Sequence, residues 1–273
     1  MDAKIIEIRS FLQSKGLTDK SIKTYCNILS KIFINLGYVF TQENVELWLT
    51  KKRLQPRTYN LYRQVINFYT KKYLYYELSF TKSKVPKHMP NYVSIDVFKK
   101  ILSVIPNLKH RIAFELMYCS GLRVFEVVRL KKYNINLDSR VINVRGKGNK
   151  DRKTIIRSFL IDILDIYIKS INKNNPANDY LIQSQNKHLS ERSLQERLKK
   201  ALIDSNSSMK ITCHDFRHSF AVNLLKRGIN IEYVRRLLGH SSLRSTQIYL
   251  QCLDNDFTKI SIHLDGNITQ CVI

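Results

Sequence analysis

The sequence lacks any apolar run approaching the roughly 18 residues a bilayer-spanning helix needs, and it has no basic-then-apolar leader at its start. No membrane association is expected, and the reading is of a soluble, cytoplasmic protein. Cysteine is scarce: Cys26, Cys119, Cys213, Cys252 and Cys271 are odd in number, far apart and form no C-x-x-C pair, which excludes a disulfide framework and points to reduced thiols. No internal repeat or low-complexity tract is evident. Acidic side chains are the remaining shortage, with 22 Asp and Glu against 46 Lys and Arg, a formal net charge of +24.

That excess is not a detachable tail. Residues 1–85 carry 15 basic and 6 acidic side chains, and residues 86–273 carry 31 and 16, so both halves are basic. A codon bias toward Lys, Ile and Asn in an A+T-rich genome would produce a similar excess. A folded chain basic in both halves nevertheless suits a polyanion gripped by two surfaces, with affinity that falls as salt rises. The 273 residues suffice for one large domain or two ordinary ones.

Helical periodicity dominates the first 80 residues. In SIKTYCNILSKIFINL, Ile22, Tyr25, Leu29, Ile32 and Phe33 recur at three and four, and PRTYNLYRQVINFYTKKYLYY repeats the design with Tyr59, Tyr62, Ile66 and Tyr69 on one stripe. Aromatics at helical spacing are assigned to packing rather than to base stacking. TKSKVPKHMPNY, with Pro86 and Pro90 and little to pack, reads as a linker. Helices resume in SIDVFKKILSVI and RIAFELMYCS, the latter stopped by Gly121. RVINVRGKGNKDRKTIIR then pairs two β-branched runs around a glycine-rich basic turn, a hairpin with Lys147 at its tip and Lys150 and Arg152 just after. Further helices are expected at about 159–171 and 190–204, the second opened by Ser190.

The chemistry-bearing residues cluster late. In ITCHDFRHSF, Thr212 is a natural N-cap with Asp215 at N3. His214 and Arg217 then lie about 60° apart around the helix. A helix start also favours an anion through its free N–H groups and dipole. In INIEYVRRLLGHSSLRSTQIYLQ, Ile231, Val234 and Leu238 face inward, Gly239 ends the helix, His240 follows, and Ser241 or Ser242 caps a segment carrying Tyr249. Taken singly, Tyr249 is one of 15 tyrosines and suits a core position equally well. Upstream, Arg123 follows the Gly121 break and stands three residues before Glu126, the spacing of a helical ion pair.

Taken together, GLRVFEVVRL, RGKGNKDR, HDFRHSFA and LLGHSSLRSTQIYL, in this order, resemble the active-site boxes of the tyrosine recombinase (integrase) family, nearest in layout to its Xer-type members. LTDKSIKTY and RTYNLYRQVINFY are similar, less specifically, to that family's core-binding domain. Phe216 stands where leucine is commoner, and Phe125 where a smaller residue is usual.

The resemblance implies a mainly α fold with a small antiparallel β-sheet, in two domains. A helical core-binding (DNA-binding) domain would span 1–82, a linker 83–92, and a mixed α/β catalytic domain 93–273, with a C-terminal tail from about 254. It implies that Tyr249 attacks a DNA phosphodiester, leaving a 3′-phosphotyrosyl link and a free 5′-hydroxyl. Arg123, Arg217 and His240 would hold the phosphate, and Glu126 would support Arg123. Chemistry alone leaves Lys147 and Lys150 equivalent as general acid; the family spacing selects Lys147. His214 would assist the tyrosine proton or hold the phosphate. His218 matches no catalytic position and is assigned packing or a backbone bond.

Phosphodiester attack gathers negative charge on the nonbridging oxygens, which fixed guanidinium donors stabilise most at the transition state. A two-metal route would need a carboxylate cluster, and only Glu126 and Asp215 lie in these boxes, each with a structural task. No metal, ATP or other cofactor is expected. The implied partners are double-stranded DNA with a specific core site and further copies of the chain, a dimer per site and a tetramer in synapsis. In DNDFTKISIHL, Phe257, Ile260 and Leu264 form a stripe that docks on a neighbour or folds back. About 85 residues before the linker leave no room for an added arm-binding domain, which favours Xer-like dimer resolution. The rival readings are the integrase of a small mobile element, a relaxing topoisomerase and a non-catalytic DNA-binding protein of the same fold.

Overall fold

The computed structural model describes residues 3–86, 89–145, 151–175, 177–185 and 187–253. The chain divides into two compact units, 1–87 and 88–273.

The first unit holds four helices, α1 (Ala3–Ser14), α2 (Asp19–Leu36), α3 (Gln42–Lys51) and α4 (Pro56–Tyr73). Their ends follow from local chemistry. Thr18 accepts the Ser21 N–H at the start of α2, Thr41 and Asn44 form a reciprocal capping box on α3, and Pro56 opens α4 where its missing N–H has no partner to lose. The α2 stripe is buried as its spacing predicts, with Ile22, Tyr25, Leu29, Ile32 and Phe33 in a core shared with Ile8, Leu12, Val45, Val65 and Ile66. Each fully buried Ile or Leu contributes about 1.5–3 kcal/mol. Tyr69 is buried against Phe33 and Phe40, and Tyr62 packs on Trp48, so the α4 tyrosines serve packing.

The segment after α4 is more anchored than its prolines suggest. Leu78 and Phe80 are buried, the Asn60 side chain donates to Ser83 O at 2.9 Å, and the Ser83 N–H donates to Asn60 Oδ1 at 3.0 Å. At the other end of this segment, in the second unit, Tyr92 Oη bonds Asn223 Oδ1 at 2.9 Å and the Val93 N–H donates to Ser219 Oγ at 2.8 Å. Proline removes only its own donor; the neighbouring polar groups still require partners, and side chains supply them.

The second unit begins with α5 (Ile95–Ser103), α6 (Leu108–Ser120) and α7 (Val124–Val128). Strands β1 (Ile135–Asn136), β2 (Val141–Arg145) and β3 (Asp151–Ile155) make an antiparallel sheet in that order, with Ile142 opposite Thr154 and Val144 opposite Arg152. Helix α8 (Ile161–Asn174), the short pair β4 (Gln183–Ser184) and β5 (Lys187–His188), and α9 (Glu191–Asp204) follow. The chain closes with α10 (Cys213–Lys226), α11 (Ile231–Leu238), α12 (Arg244–Gln247) and a 3-10 helix, Ile248–Cys252.

The fold is thus mainly helical with small antiparallel sheets. Helix α6 is the axis of the second unit: every residue from Ile112 to Ser120 is buried, the mark of a helix enclosed on all sides. Phe216 of α10 meets Phe98, Phe114 and Tyr118 edge-on, an aromatic cluster that accounts for phenylalanine where leucine is commoner. Among the described residues no helix is long and apolar enough to cross a membrane. The hairpin turn, residues 146–150, lies outside the described residues, as does the tail from 254 with its Phe257, Ile260 and Leu264 stripe.

Candidate active site

Helix α6 ends at Gly121, whose left-handed backbone (φ 67°) turns the chain sharply. A Cβ there would meet the Phe220 ring at 2.4 Å, so glycine also lets α10 approach. The turn delivers Arg123 as the N-cap of α7, where its N–H donates to Glu126 Oε2 at 2.7 Å and its Nη1 to Glu126 Oε1 at 2.9 Å. The expected ion pair is present, but it is only one part of a larger assembly.

Glu126 is buried, and its principal partner is Arg152 of β3, which donates from Nη1 to Oε1 at 2.7 Å and from Nη2 to Oε2 at 2.8 Å. Arg217 Nη1 stands 3.7 Å from the same carboxylate. Three guanidinium groups therefore surround one carboxylate. Burial pushes the Glu126 pKa up, but the Arg152 bonds and charge, the Arg123 N–H and Arg217 outweigh it and hold the group below the usual carboxylate range.

Arg152 was not singled out by sequence reading as a site residue. Strand alternation carries the signal, because Arg152 and Thr154 share the inward face of β3, where Thr154 is buried with its Oγ1 bonded to Ser120 O. Arg152 Nε also donates to Leu237 O at 2.9 Å. Its stem passes so near Gly239 that an added Cβ there would lie 2.5 Å from Arg152 Cδ.

Arg217 is 1% exposed. The capping box between Thr212 and Asp215 starts α10 where the sequence places it, and Arg217 points inward from the second turn. Its Nη1 donates to Gly121 O at 2.6 Å and its Nη2 to Leu238 O. Burial, then the Arg123 charge, pushes its pKa down to about 9, which still leaves it cationic at neutral pH. His214, on the adjoining edge, is exposed, and its ring meets the His218 ring edge-on at 4.5 Å.

Tyr249 lies in the 3-10 helix and is 2% exposed. Burial raises its pKa, while the charges of Arg217 and Arg123 act in the opposite direction. Its Oη is 2.9 Å from His218 Nδ1, which corrects the assignment of His218 to packing or a backbone bond: its partner is the tyrosine hydroxyl. The signal was the i, i+4 spacing of His214 and His218, which puts both on one helix face. Burial, then His214, lowers the His218 pKa to about 4.

His240 follows the left-handed Gly239 that ends α11, and Ser242 Oγ accepts the Arg244 N–H at the next helical start. His240 Nδ1 bonds Thr246 Oγ1 at 3.0 Å, and its ring lies nearly parallel to Tyr249 with centroids 6.3 Å apart. Burial, then Arg217 and Arg123, lowers its pKa to about 4. Glu126, Arg123, Arg217, His214, His240 and Tyr249 are thus brought into one neighbourhood; Lys147 and Lys150 lie outside the described residues. Among the described residues no group of three or more His, Cys, Asp or Glu side chains is placed to hold a metal ion.

Comparison with known proteins follows the same line. Residues 91–256 match the phage integrase family. The chain is 34% identical over 253 residues to tyrosine recombinase XerA of Pyrococcus horikoshii, covering 89% of this chain and 87% of that one. The crystal structure of XerA recombinase is similar with a TM-score of 0.56 at 24% identity, covering 96% of this chain and 98% of its own. A lambda integrase dimer bound to a COC′ core site is similar with a TM-score of 0.74 at 18% identity, covering 91% and 94%.

Proposed function

The chain belongs to the phage integrase family as a Xer-like tyrosine recombinase, an enzyme of site-specific DNA recombination, and from that premise we propose that Tyr249 is the group that attacks the DNA backbone. The observation carrying this reading is the placement of the Tyr249 hydroxyl, hydrogen-bonded to an imidazole within a site walled by Arg123, Arg217 and His240.

In the proposed reaction Tyr249 Oη bonds to phosphorus as the bond to the 5′-oxygen breaks. The energy of the phosphodiester is kept in the 3′-phosphotyrosyl link, so neither ATP nor a metal ion is invoked. Arg123 and Arg217 hold the nonbridging oxygens with paired, permanently charged donors. His240 and His214 add donors, and Lys147 protonates the departing 5′-oxygen. Glu126 acts through the arginines it holds.

The DNA partner is double-stranded and carries a core site, gripped jointly by the helical unit and the catalytic unit. Two copies occupy each site and four form the synapse. The cellular task is resolution of chromosome or plasmid dimers in the cytoplasm, in the service of chromosome partition; similarity to a Xer recombinase along both units supports it.

A nicked duplex that lets the short strand diffuse away after cleavage tests the chemistry. A covalent protein–DNA adduct is expected, absent in Tyr249→Phe. An adduct that survives in Tyr249→Phe would refute the assignment, and cuts scattered without sequence preference would replace recombination at a core site with relaxation. Unchanged tetramer formation on DNA after deletion of residues 255–273 would rule out docking of the tail on a neighbouring copy.

A further inference from the structure

We propose that His218 takes up the proton that Tyr249 releases as it attacks DNA, and hands it back when the strand is rejoined; this rests on Tyr249 being the nucleophile. Family resemblance gives His218 no such part and leaves the tyrosine proton to His214 as one of two roles. The geometry points elsewhere. The nitrogen within hydrogen-bond distance of the Tyr249 hydroxyl, at 2.9 Å, is His218 Nδ1. His214 sits one turn earlier at the exposed edge of α10, against the His218 ring. His240 turns its Nδ1 to Thr246.

The direction of the bond follows from the two environments. Burial raises the Tyr249 pKa, so the phenol keeps its proton in the DNA-free protein. Burial, then His214 and Arg217 against the opposing charge of Asp215, keeps the His218 ring neutral, so one of its nitrogens is an open acceptor. In this proposal the phenol O–H donates to His218 Nδ1, with the ring proton on Nε2. The arriving scissile phosphate brings negative charge beside the pair, and that charge favours an imidazolium where burial had disfavoured it.

The step balances within the site. Tyr249 Oη forms its bond to phosphorus, the bond from phosphorus to the 5′-oxygen breaks, and the phenol proton moves to His218 Nδ1. The 5′-oxygen receives a different proton, from the lysine proposed as general acid. In rejoining, a 5′-hydroxyl attacks the phosphotyrosine and returns its proton to that lysine, the bond from phosphorus to Tyr249 Oη breaks, and the His218 imidazolium protonates the departing phenolate. His214 is thereby left free to hold a phosphate oxygen.

Single-turnover cleavage of the nicked duplex by His218→Asn and His218→Phe tests this. The Asn carboxamide oxygen can accept the phenol bond from nearly the same place, yet it cannot take a proton. Both variants should cleave on the order of a hundredfold more slowly, with DNA affinity retained. A duplex with sulfur in place of the 5′-bridging oxygen has a leaving group that needs no proton, so the defect should persist on it.

Parent-like cleavage by His218→Asn, faster cleavage by either variant, or recovery on the sulfur duplex would each overturn the proposal. Nitrogen NMR of the unaltered, DNA-free protein gives a readout independent of how the variants fold: Nδ1 of His218 should be unprotonated, and a protonated Nδ1 would also overturn it. Loss of the adduct in Tyr249→Phe alongside an unslowed His218→Asn sinks this inference alone. An adduct that persists in Tyr249→Phe sinks the nucleophile assignment beneath it.

Discussion

The two halves of the site are held in opposite electrical states. Around Glu126, three arginines are held in place by a buried carboxylate and by main-chain carbonyls. Around Tyr249, burial keeps His218 and His240 neutral, helped by His214 and then Arg217 at the first and by Arg217, Arg123 and Arg152 at the second. The cationic half cannot move protons at working pH, and the neutral half has protons to move. Stabilising charge and transferring a proton demand incompatible environments, and the fold sets the two side by side, close enough for Arg217 and Arg123 to act on Tyr249 and His240.

Breaking the cationic half should have the largest consequence. Removing one partner from a buried ion cluster leaves uncompensated charge, so Glu126→Ala should lower stability by about 3–5 kcal/mol in urea unfolding and abolish cleavage. Arg217→Lys keeps the charge but cannot reach Gly121 O and Leu238 O together while also offering phosphate a paired donor. It should slow single-turnover cleavage about a hundredfold, near 3 kcal/mol, with a smaller change in DNA affinity.

A pH series sharpens the contrast between the halves. The unfolded value for histidine is 6.5, whereas folded His218 and His240 lie at about 4. Between those values the unfolded chain binds protons that the folded rings refuse, so stability falls as pH falls through this window and is fully present above it. Glu126 behaves as a depressed carboxylate: its contribution is complete above its ordinary value of 4.5 and is lost only as pH drops through its lower folded value. Urea midpoints between about pH 7 and pH 5 therefore read the histidines alone of these groups, and His218→Asn should flatten the slope.

Gly239→Ala tests the boundary. A methyl in a left-handed conformation is strained, and here it also displaces the Arg152 stem. Stability should drop by about 1–3 kcal/mol, with slower cleavage. Thr18→Ala, far along the chain in the helical unit, should lose about 1 kcal/mol of N-cap stability in a thermal melt and leave the cleavage rate unaltered. A slowed rate there would show that the comparison is not local to the site.

Elements whose ends are written in side-chain chemistry were legible in the sequence. Thr212 with Asp215, Ser190, Gly121 and Gly239 all terminate helices where their residue types predict. The β2–β3 hairpin announced itself by two β-branched runs, but β1, β4 and β5 have two residues each, too few for any period to show.

Arg152 and His218 stand inside the boxes RGKGNKDR and HDFRHSFA, yet sequence reading gave neither a part in the site. Their importance depends on which partner lies opposite them after folding. Arg152 meets a carboxylate 26 positions away and His218 a hydroxyl 31 positions away; strand alternation and helical spacing say which face each side chain takes but not which partner stands opposite. The docked flanks of the proline-bearing segment were missed for the same reason, since Asn60 and Ser219 supply partners that local composition cannot reveal.

Arg152 has one further implication. Rooted in the strand that leaves the basic hairpin, it clasps Leu237 just before the bend bearing His240 and grips Glu126 with its far end. Hairpin, bend and α7 are thereby yoked through a single side chain. Displacing the strand would strain its hold on Leu237, making one guanidinium a mechanical tie as well as an electrostatic one.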